Sequence, residues 1–407
     1  MMMRAYMWTA TLAVMTGLTS PLATLAQDPG ETATAEGQLA LFRSGEGDYD
    51  TYRIPALVTT TQGTILAFCE GRKDHGGDAG NIDILLKRSE DGGETWSEQQ
   101  VIWDDGANTC GNPCPVVDEE AGEIFIVMTH NLGSDHEADI IKKTAESTRT
   151  VWVAKSSDDG RSWTKPENIT ATTKKKEWGW YATGPGIGIQ IKHGLYKGRL
   201  VIPSDHSYDD PNGKVRGGPY EYGAHAIYSD DHGQTWKLSE PIRPKVNECQ
   251  VVELADGNGT LLMNMRSYFG RASRTHALSY DGGVTWTAPE DAPQLVEPVC
   301  QASILRYSWP EKAERKRRGR ASRDGQKSVL LFLNPASTSK RHNMTIRASY
   351  DEGKTWPVIK GLFAGPSAYS SLGKLPDGTI LALYEAGQKR PYESIIFQKL
   401  DPEDLLR

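Results

Sequence analysis

Short apolar runs punctuated by glycine, proline, asparagine and aspartate extend along the whole chain, at 124–128, 200–202, 261–263, 329–333 and 380–383 among others. Runs this short, rich in Val, Ile and Leu and bounded by turn residues, read as β-strands. No stretch carries the 3.6-residue apolar spacing of a long amphipathic helix. Further β-rich segments at 151–154, 224–228, 275–278 and 345–348 each run into the same octet, Ser-x-Asp-x-Gly-x-Thr/Ser-Trp. The octet occurs five times, at 89–96, 156–163, 229–236, 279–286 and 349–356. Aspartate accepts hydrogen bonds from the amides of its own turn, glycine tolerates positive φ, and tryptophan packs beneath the turn, so each copy makes a hairpin. A repeat at unequal spacing implies similar units joined by loops of different length. Many short strands with one recurring turn predict an all-β fold, specifically a β-propeller.

The segment 70–96 joins that architecture to candidate chemistry. A polar loop from Arg72 to Asp83 runs into Ile84-Leu85-Leu86 and then into the first octet. Asp78 stands among Gly76, Gly77 and Gly80, so its carboxylate is carried on a loop.

Composition narrows the class. A chain of 407 residues, 38% hydrophobic and 24% charged, has the make-up of a globular protein. Its net charge of −7 argues against nucleic acid as a partner, since phosphate contacts need a basic face. Arg4, a following apolar run and the small-residue end at Ala26 form a secretory signal over 1–26, with no stable membrane insertion after its removal. Residues 27–37 are polar and read as a disordered lead-in, leaving 38–407 as one domain. The signal implies a secreted or periplasmic location. Of the five cysteines, Cys110 and Cys114 are close enough in sequence to bridge, whereas Cys69, Cys249 and Cys300 read as small buried hydrophobes. The segment 312–327, with eight Lys or Arg, reads as a solvated surface loop. The nine histidines show no paired ligand spacing and no glycine-rich phosphate loop is present, so neither a metal nor another cofactor is expected.

Four further stretches carry a resemblance. They are Tyr52-Arg53-Ile54-Pro55; Asn247-Glu248-Cys249-Gln250 with Asn264-Met265-Arg266; Asn334-Pro335 with Arg341-His342-Asn343; and Ala368-Tyr369-Ser370-Ser371 with Leu383-Tyr384-Glu385. In this order, with five octets that match Asp boxes, the chain resembles the bacterial-type exo-α-sialidases (neuraminidases). The resemblance implies a six-bladed β-propeller, with the Asp boxes on blade hairpins away from the active site. Roughly 380 residues after the signal give about 60 per blade, which suits six four-stranded blades.

The same resemblance assigns roles. Arg53, Arg266 and Arg341 form a cluster that grips the carboxylate of sialic acid, a task that suits a rigid, permanently charged fork. Arg72 is a further substrate-binding arginine, and Glu385 steadies the first arginine. Tyr369 is the nucleophile: a neutral phenol approaches the carboxylate-bearing anomeric carbon without like-charge repulsion, and sialidases are the tyrosine exception among glycosidases. Glu248 takes the phenol's proton. Asp78 is the acid/base residue, with Asp74 and Asp83 as neighbouring decoys. Residues 178–186 resemble a loop bordering the site. Asp205 and His206 lie where some members carry tyrosines, either as sugar contacts or as a polar strand end.

The implied activity is hydrolysis of terminal sialic acid from glycans, glycoproteins or glycolipids with retention of configuration. A trans-sialidase or intramolecular trans-sialidase would share these residues. A non-catalytic sialic-acid-binding propeller would have lost Tyr369, Glu248 or Asp78, and all three are present.

Overall fold

A computed structural model describes residues 37–310 and 327–406. The signal segment, residues 27–36 of the lead-in and nearly all of the basic segment lie outside the described residues. Strands dominate, and the helices among the described residues are brief: Glu137–Lys142, Thr170–Thr173, a 3₁₀ turn at Val215–Gly217, and Pro402–Leu406. No helix among the described residues is long and apolar enough to cross a membrane.

The strands form four open sheets of eight, five, four and seven strands. The eight-stranded sheet begins with Thr51–Thr59, Ile65–Arg72 and Ile82–Ser89, and continues through Thr109–Asp118, Glu123–Asn131 and Thr150–Ser156. Its two halves touch through a single parallel pair, Ile82 with Thr109. The five-stranded sheet centres on Leu200–Asp209 and Tyr220–Ser229, and the four-stranded sheet opens with Val246–Glu253 followed by Leu261–Ser267. The seven-stranded sheet contains Val329–Pro335, His342–Ser349 and the 17-residue strand Val358–Lys374, then Ile380–Ala386 and Ser394–Leu400. The N-terminal strand Gln38–Arg43 pairs antiparallel with Ser394–Leu400, so the two ends of the described chain close on one sheet.

Several strands are buried on both faces. Ile65–Arg72 and Val329–Pro335 are buried at every position, which explains why these antiparallel strands read as continuous apolar runs rather than alternating ones. Neighbouring sheets supply the cover: Leu57, Ile65 and Leu85 pack with Leu381, Leu383 and Phe397, and Val127 and Val151 pack with Leu200 and Ile227. Polar ties cross between sheets as well. The Leu57 amide donates to Ser371 Oγ at 3.0 Å, the Ser370 amide donates to Gln301 Oε1 at 2.8 Å, and Gln301 Nε2 donates to the Pro185 carbonyl at 3.0 Å.

The octets behave as turns. At 229–236, Ser229 Oγ donates to Asp231 Oδ1 at 2.8 Å and accepts from the Gly233 amide at 2.8 Å, while Asp231 accepts from the Thr235 amide at 2.9 Å and its hydroxyl at 2.6 Å. The other four copies repeat the pattern. Four of the five tryptophans pack on phenylalanines, among them Trp96 on Phe397 at 5.0 Å and Trp236 on Phe125 at 6.2 Å, both edge-on. All five cysteines are buried and free, Cys110 and Cys114 included.

One buried polar cluster stands out. His206 stacks on Trp178 at 3.6 Å and its Nδ1 lies 3.0 Å from His225 Nδ1. Arg243 donates to His206 Nε2 at 3.0 Å, and since arginine only donates, that nitrogen must carry the lone pair. The His206 proton therefore sits on Nδ1 and is donated to His225, so both rings are neutral. Burial, followed by the neighbouring charges, holds both pKa values well below the usual histidine range. The unfolded chain then binds more protons than the folded one as pH falls below about 6.5, so stability declines in that direction. A histidine held neutral costs about 2 kcal/mol at pH 5. The melting temperature should drop between pH 7.5 and pH 5, and the drop should shrink in His206→Gln and His225→Gln variants whatever their absolute stability; an unchanged pH difference would contradict a neutral pair.

Candidate active site

Four strands carry the same irregularity. Thr51–Thr59, Thr109–Asp118, Val246–Glu253 and Val358–Lys374 each insert one extra residue against their partner, at 53–56, 111–114, 246–249 and 367–370. A bulge re-aims the side chains around it, and these four bulges hold Arg53 and Ile54, Asn112, Asn247 and Glu248, and Tyr369. Ile54 and Asn112 have positive φ, at 58° and 53°. For a β-branched residue such as Ile54 that conformation is strained, and it is held by the surrounding hydrogen bonds.

Glu385 supplies those bonds. Fully buried at the end of Ile380–Ala386, it accepts from Arg53 Nε at 2.7 Å and from the Ile54 amide at 3.0 Å through Oε1, and from the Tyr369 amide at 3.0 Å through Oε2. It does not line the cavity that Arg53 and Tyr369 face, and acts from behind them. Glu70 plays the same part next door. Its Oε1 accepts from the Asn112 amide at 2.7 Å, and its Oε2 accepts from Arg72 Nη2 at 2.6 Å.

The resulting cavity has a volume of about 380 Å³. It is lined by seven of the eight residues singled out from the sequence: Arg53, Arg72, Asp78, Glu248, Arg266, Arg341 and Tyr369. At its floor the Tyr369 hydroxyl donates to Glu248 Oε1 in a close contact. Arg266 Nη1 donates to Glu248 Oε2 at 2.7 Å and to the Tyr369 oxygen at 3.3 Å. The guanidinium carbons of Arg53 and Arg341 lie 5.0 and 5.5 Å from the Tyr369 ring centre. Burial, then the Glu248 charge, pushes the phenol's pKa well above its ordinary value, against the pull of the three arginines. The phenol is therefore neutral and hydrogen-bonded to a base. Arg341 differs from the other arginines: Nη1 donates to the Tyr392 hydroxyl at 2.7 Å and Nη2 to the Val299 carbonyl at 3.4 Å, and among the described residues no carboxylate pairs with it.

Asp78 hangs over this floor from its loop. Arg72 Nη1 donates to Asp78 Oδ1 at 2.8 Å and to the carbonyls of Gly76 and Gly77 at 2.7 and 2.9 Å, which fixes the loop. Arg53 Nη1 lies 3.8 Å from the same oxygen. Partial enclosure would raise the carboxyl, but the charges of Arg72 and Arg53 outweigh it and hold Asp78 down at about 2. Its side chain is nonetheless 65% exposed, so water reaches it. The decoy Asp83 is buried, bonded to the Tyr49 hydroxyl at 2.7 Å and to Lys73 at 3.0 Å, and neither it nor Asp74 lines the cavity.

Adjacent residues of one strand part company. Asp205 lines the cavity while His206 points into the core, as strand alternation demands. Asp205 is 1% exposed, and neither carboxyl oxygen has a hydrogen-bond partner. Burial and then Glu248 and Glu137 push its pKa well up, which favours the protonated form. From the loop 178–186, Trp180 and Ala182 reach the cavity, and the Arg149 guanidinium lies 4.0 Å over the Trp180 ring. Sequence reasoning missed Glu70, Asn112, Glu137, Arg149, Tyr268 and Tyr392, all lining residues. A charged residue inside an apolar strand run, as in Phe68-Cys69-Glu70, was the one signal available for Glu70.

Comparison with known proteins agrees with this frame. A BNR repeat-like domain model matches residues 63–382. The chain is 35% identical to a sialidase of Micromonospora viridifaciens across 88% of its length, and spans 53% of that relative. It is 30% identical to an exo-alpha-sialidase of Aspergillus fumigatus, over 92% of both chains. The solved structure of a Hadza microbial sialidase superposes with a TM-score of 0.74 at 30% identity, covering 90% of this chain and 69% of that one. The fold is thus an all-β fold of the sialidase type. The chain belongs to the sialidase family with Asp-box repeats.

Because Glu385 is the closest carboxylate to the buried Arg53 charge and fixes two backbone amides, Glu385→Gln should lower unfolding free energy by about 3 kcal/mol. Tyr369→Phe, which removes only a hydroxyl, should cost under about 1 kcal/mol. Denaturant titration of both variants checks the contrast, and equal losses would remove Glu385 from its organising role.

Proposed function

We propose that the chain is an exo-α-sialidase that hydrolyses terminal sialic acid from glycoconjugates with retention, using Tyr369 as nucleophile. The observation that carries this reading is a neutral phenol bonded to a carboxylate and ringed by three arginines in one cavity. Arg341 supports it further, since a partly buried cation with no carboxylate of its own is compensated when the substrate's carboxylate arrives.

In this reading Arg53, Arg266 and Arg341 bind that carboxylate and set the anomeric carbon above the Tyr369 oxygen. The phenol oxygen forms a bond to this carbon as Glu248 takes its proton. The glycosidic bond breaks, and the departing oxygen receives a proton from Asp78. Water then gives a proton to Asp78 and attacks the same carbon from the side the leaving group vacated. The bond to Tyr369 breaks, and the phenol recovers its proton from Glu248. Two inversions give net retention.

Asp78 has to hold a proton for the first step, yet the empty site keeps it ionised. Substrate binding supplies the correction: the incoming carboxylate offsets the charge of Arg53, and the sugar displaces water from above Asp78, and both changes raise its pKa. The exposure of Asp78 in the open site favours water over another acceptor in the second step, hence hydrolysis over transfer.

The strand pairing supports a six-bladed parse of residues 38–407. The eight-stranded sheet divides at the lone Ile82–Thr109 pair, and the seven-stranded sheet divides within the long strand Val358–Lys374. With the two remaining sheets this gives six blades, the last closed by Gln38–Arg43. The signal-like segment supports export to where sialylated glycans are met.

Two experiments bear on mechanism. Arg341→Lys keeps the charge but loses the fork, so it should weaken both sialoside hydrolysis and binding of a carboxylate-bearing sialic acid analogue by roughly tenfold or more. Undiminished analogue binding would mean that Arg341 does not hold the carboxylate. Tyr369→Phe and Glu248→Gln should each abolish most turnover while the protein stays folded, and the double variant should be hardly worse than the poorer single, because the pair acts as one unit. In the parent protein a 3-fluorosialyl fluoride should leave a covalent adduct on Tyr369, detected by mass spectrometry of the labelled peptide. An adduct on Asp78 or Glu248 would sink the tyrosine mechanism. NMR of the first-released product distinguishes free α-sialic acid from an anhydro or transferred product.

A further inference from the structure

A second cavity, about 600 Å³ in volume, opens off the active-site cavity and shares Arg216, Tyr222, Arg266 and Tyr268 with it. Its outer wall comes from the turn at Val215–Gly217 and from Lys245, just ahead of Val246–Glu253. Such a volume lies within the range of cavities that hold small ligands.

The charges in this groove are unequal. Arg266 is engaged by Glu248 and Arg216 by Glu137, so both are neutralised. Lys214 and Lys245 are exposed and have no ion pair among the described residues. Among the described residues that line the groove, the one carboxylate is Glu221, which is buried and accepts from the Tyr222 amide at 3.0 Å, and to which the charges of Lys245 and Asp210 extend. Between the lysines and the active site stand the rings of Tyr222 and Tyr268, 5.1 Å apart and inclined at 38°. Aromatic faces with adjacent ammonium groups suit a sugar ring that carries negative charge.

The position of the groove says which sugar that is. In sialic acid the carboxylate and the glycosidic oxygen sit on the same carbon, so the aglycone leaves from beside the arginine cluster, and Arg266 is the member of that cluster that also lines the groove. We propose that this groove binds the aglycone and selects substrates whose penultimate sugar is itself anionic, with Lys214 and Lys245 contacting its acidic group. The proposal rests on the sialoside reading of the main cavity.

The test compares kcat/KM on three substrates at low and high salt: a sialyl-galactoside with a neutral aglycone, a disialoside whose aglycone is a second sialic acid, and a sulfated sialyl-galactoside. At low ionic strength the anionic pair should exceed the neutral substrate by roughly three- to tenfold, and the advantage should fade at high salt. The two anionic substrates separate a carboxylated from a sulfated aglycone, and the faster names the natural source of charge. In a Lys214→Gln/Lys245→Gln double variant the advantage should vanish, with the neutral substrate turned over within about twofold of the parent and the melting temperature unchanged. Equal rates on all three substrates in the parent, or an advantage that survives in the double variant, would overturn the groove while leaving the sialoside reading standing. No release of sialic acid from any of the three would overturn that reading, and the groove with it.

Discussion

The carboxylate of Glu385 is the interaction on which the site depends. It is fully buried, and it binds one guanidinium and two backbone amides that belong to strands far apart in sequence. A buried carboxylate is stable only when its lone pairs are filled, and this one is filled by the groups that must be positioned. It orients Arg53, stabilises the positive φ of Ile54, and fixes the backbone that presents the Tyr369 ring. Glu70 repeats the device for Asn112 and Arg72, and through Arg72 for the loop that carries Asp78. The cavity is therefore organised by two acids, Glu385 wholly behind it and Glu70 on its wall.

The bulges explain why the surrounding architecture permits this. A regular strand alternates its side chains between two buried faces and offers nothing to a cavity at its end. One extra residue per strand breaks the alternation where the chemistry is needed, and the same device appears in four strands. Each bulge frees backbone groups from the ladder; buried acids recapture them at Ile54, Asn112 and Tyr369, and the Gly184 carbonyl does so at Cys249. The Asp boxes solve a different problem: they close hairpins internally and seat tryptophans against phenylalanines, as Trp96 does with Phe397. Repetition suits that task because every unit needs it, whereas the site is assembled from residues that occur once.

That division decides what the sequence could disclose. The turns were legible because octet chemistry is local: serine, aspartate, glycine and threonine bond to one another within eight positions. Asp78, Glu248 and Tyr369 were legible only through motifs matched to a family, since nothing local distinguishes Tyr369 from a strand tyrosine. Arg149 was not legible at all, and Glu70 only as a charge inside an apolar run. Their partners, Asn112 and Asn131 among them, are distant in sequence, and only the register of the sheets brings them together. Asp205 and His206 show the limit most plainly. One residue faces the cavity and its neighbour the core, because a strand cannot turn both the same way.

Of the four arginines singled out from the sequence, one lacks a carboxylate partner, and Arg149 on the same cavity wall is likewise held by the neutral side chains of Thr129, Asn131 and Asn112. Arg53 has Glu385, Arg72 has Glu70 and Asp78, and Arg266 has Glu248, each within 3 Å. Arg341 has only neutral oxygens from Tyr392 and Val299. Adding a carboxylate beside Arg341 would have stabilised the folded chain, but it would also have filled the one place where an external anion gains most. The uncompensated charge is thus a binding energy held in reserve, and it lies beside a phenol that the neighbouring carboxylate keeps neutral and ready to lose its proton. An anion that settles on Arg341 also lessens the positive field acting on Asp78. In the proposed mechanism, binding and proton supply are in this way coupled through one guanidinium cluster, because Arg53, which would share the anion, also holds Asp78 ionised.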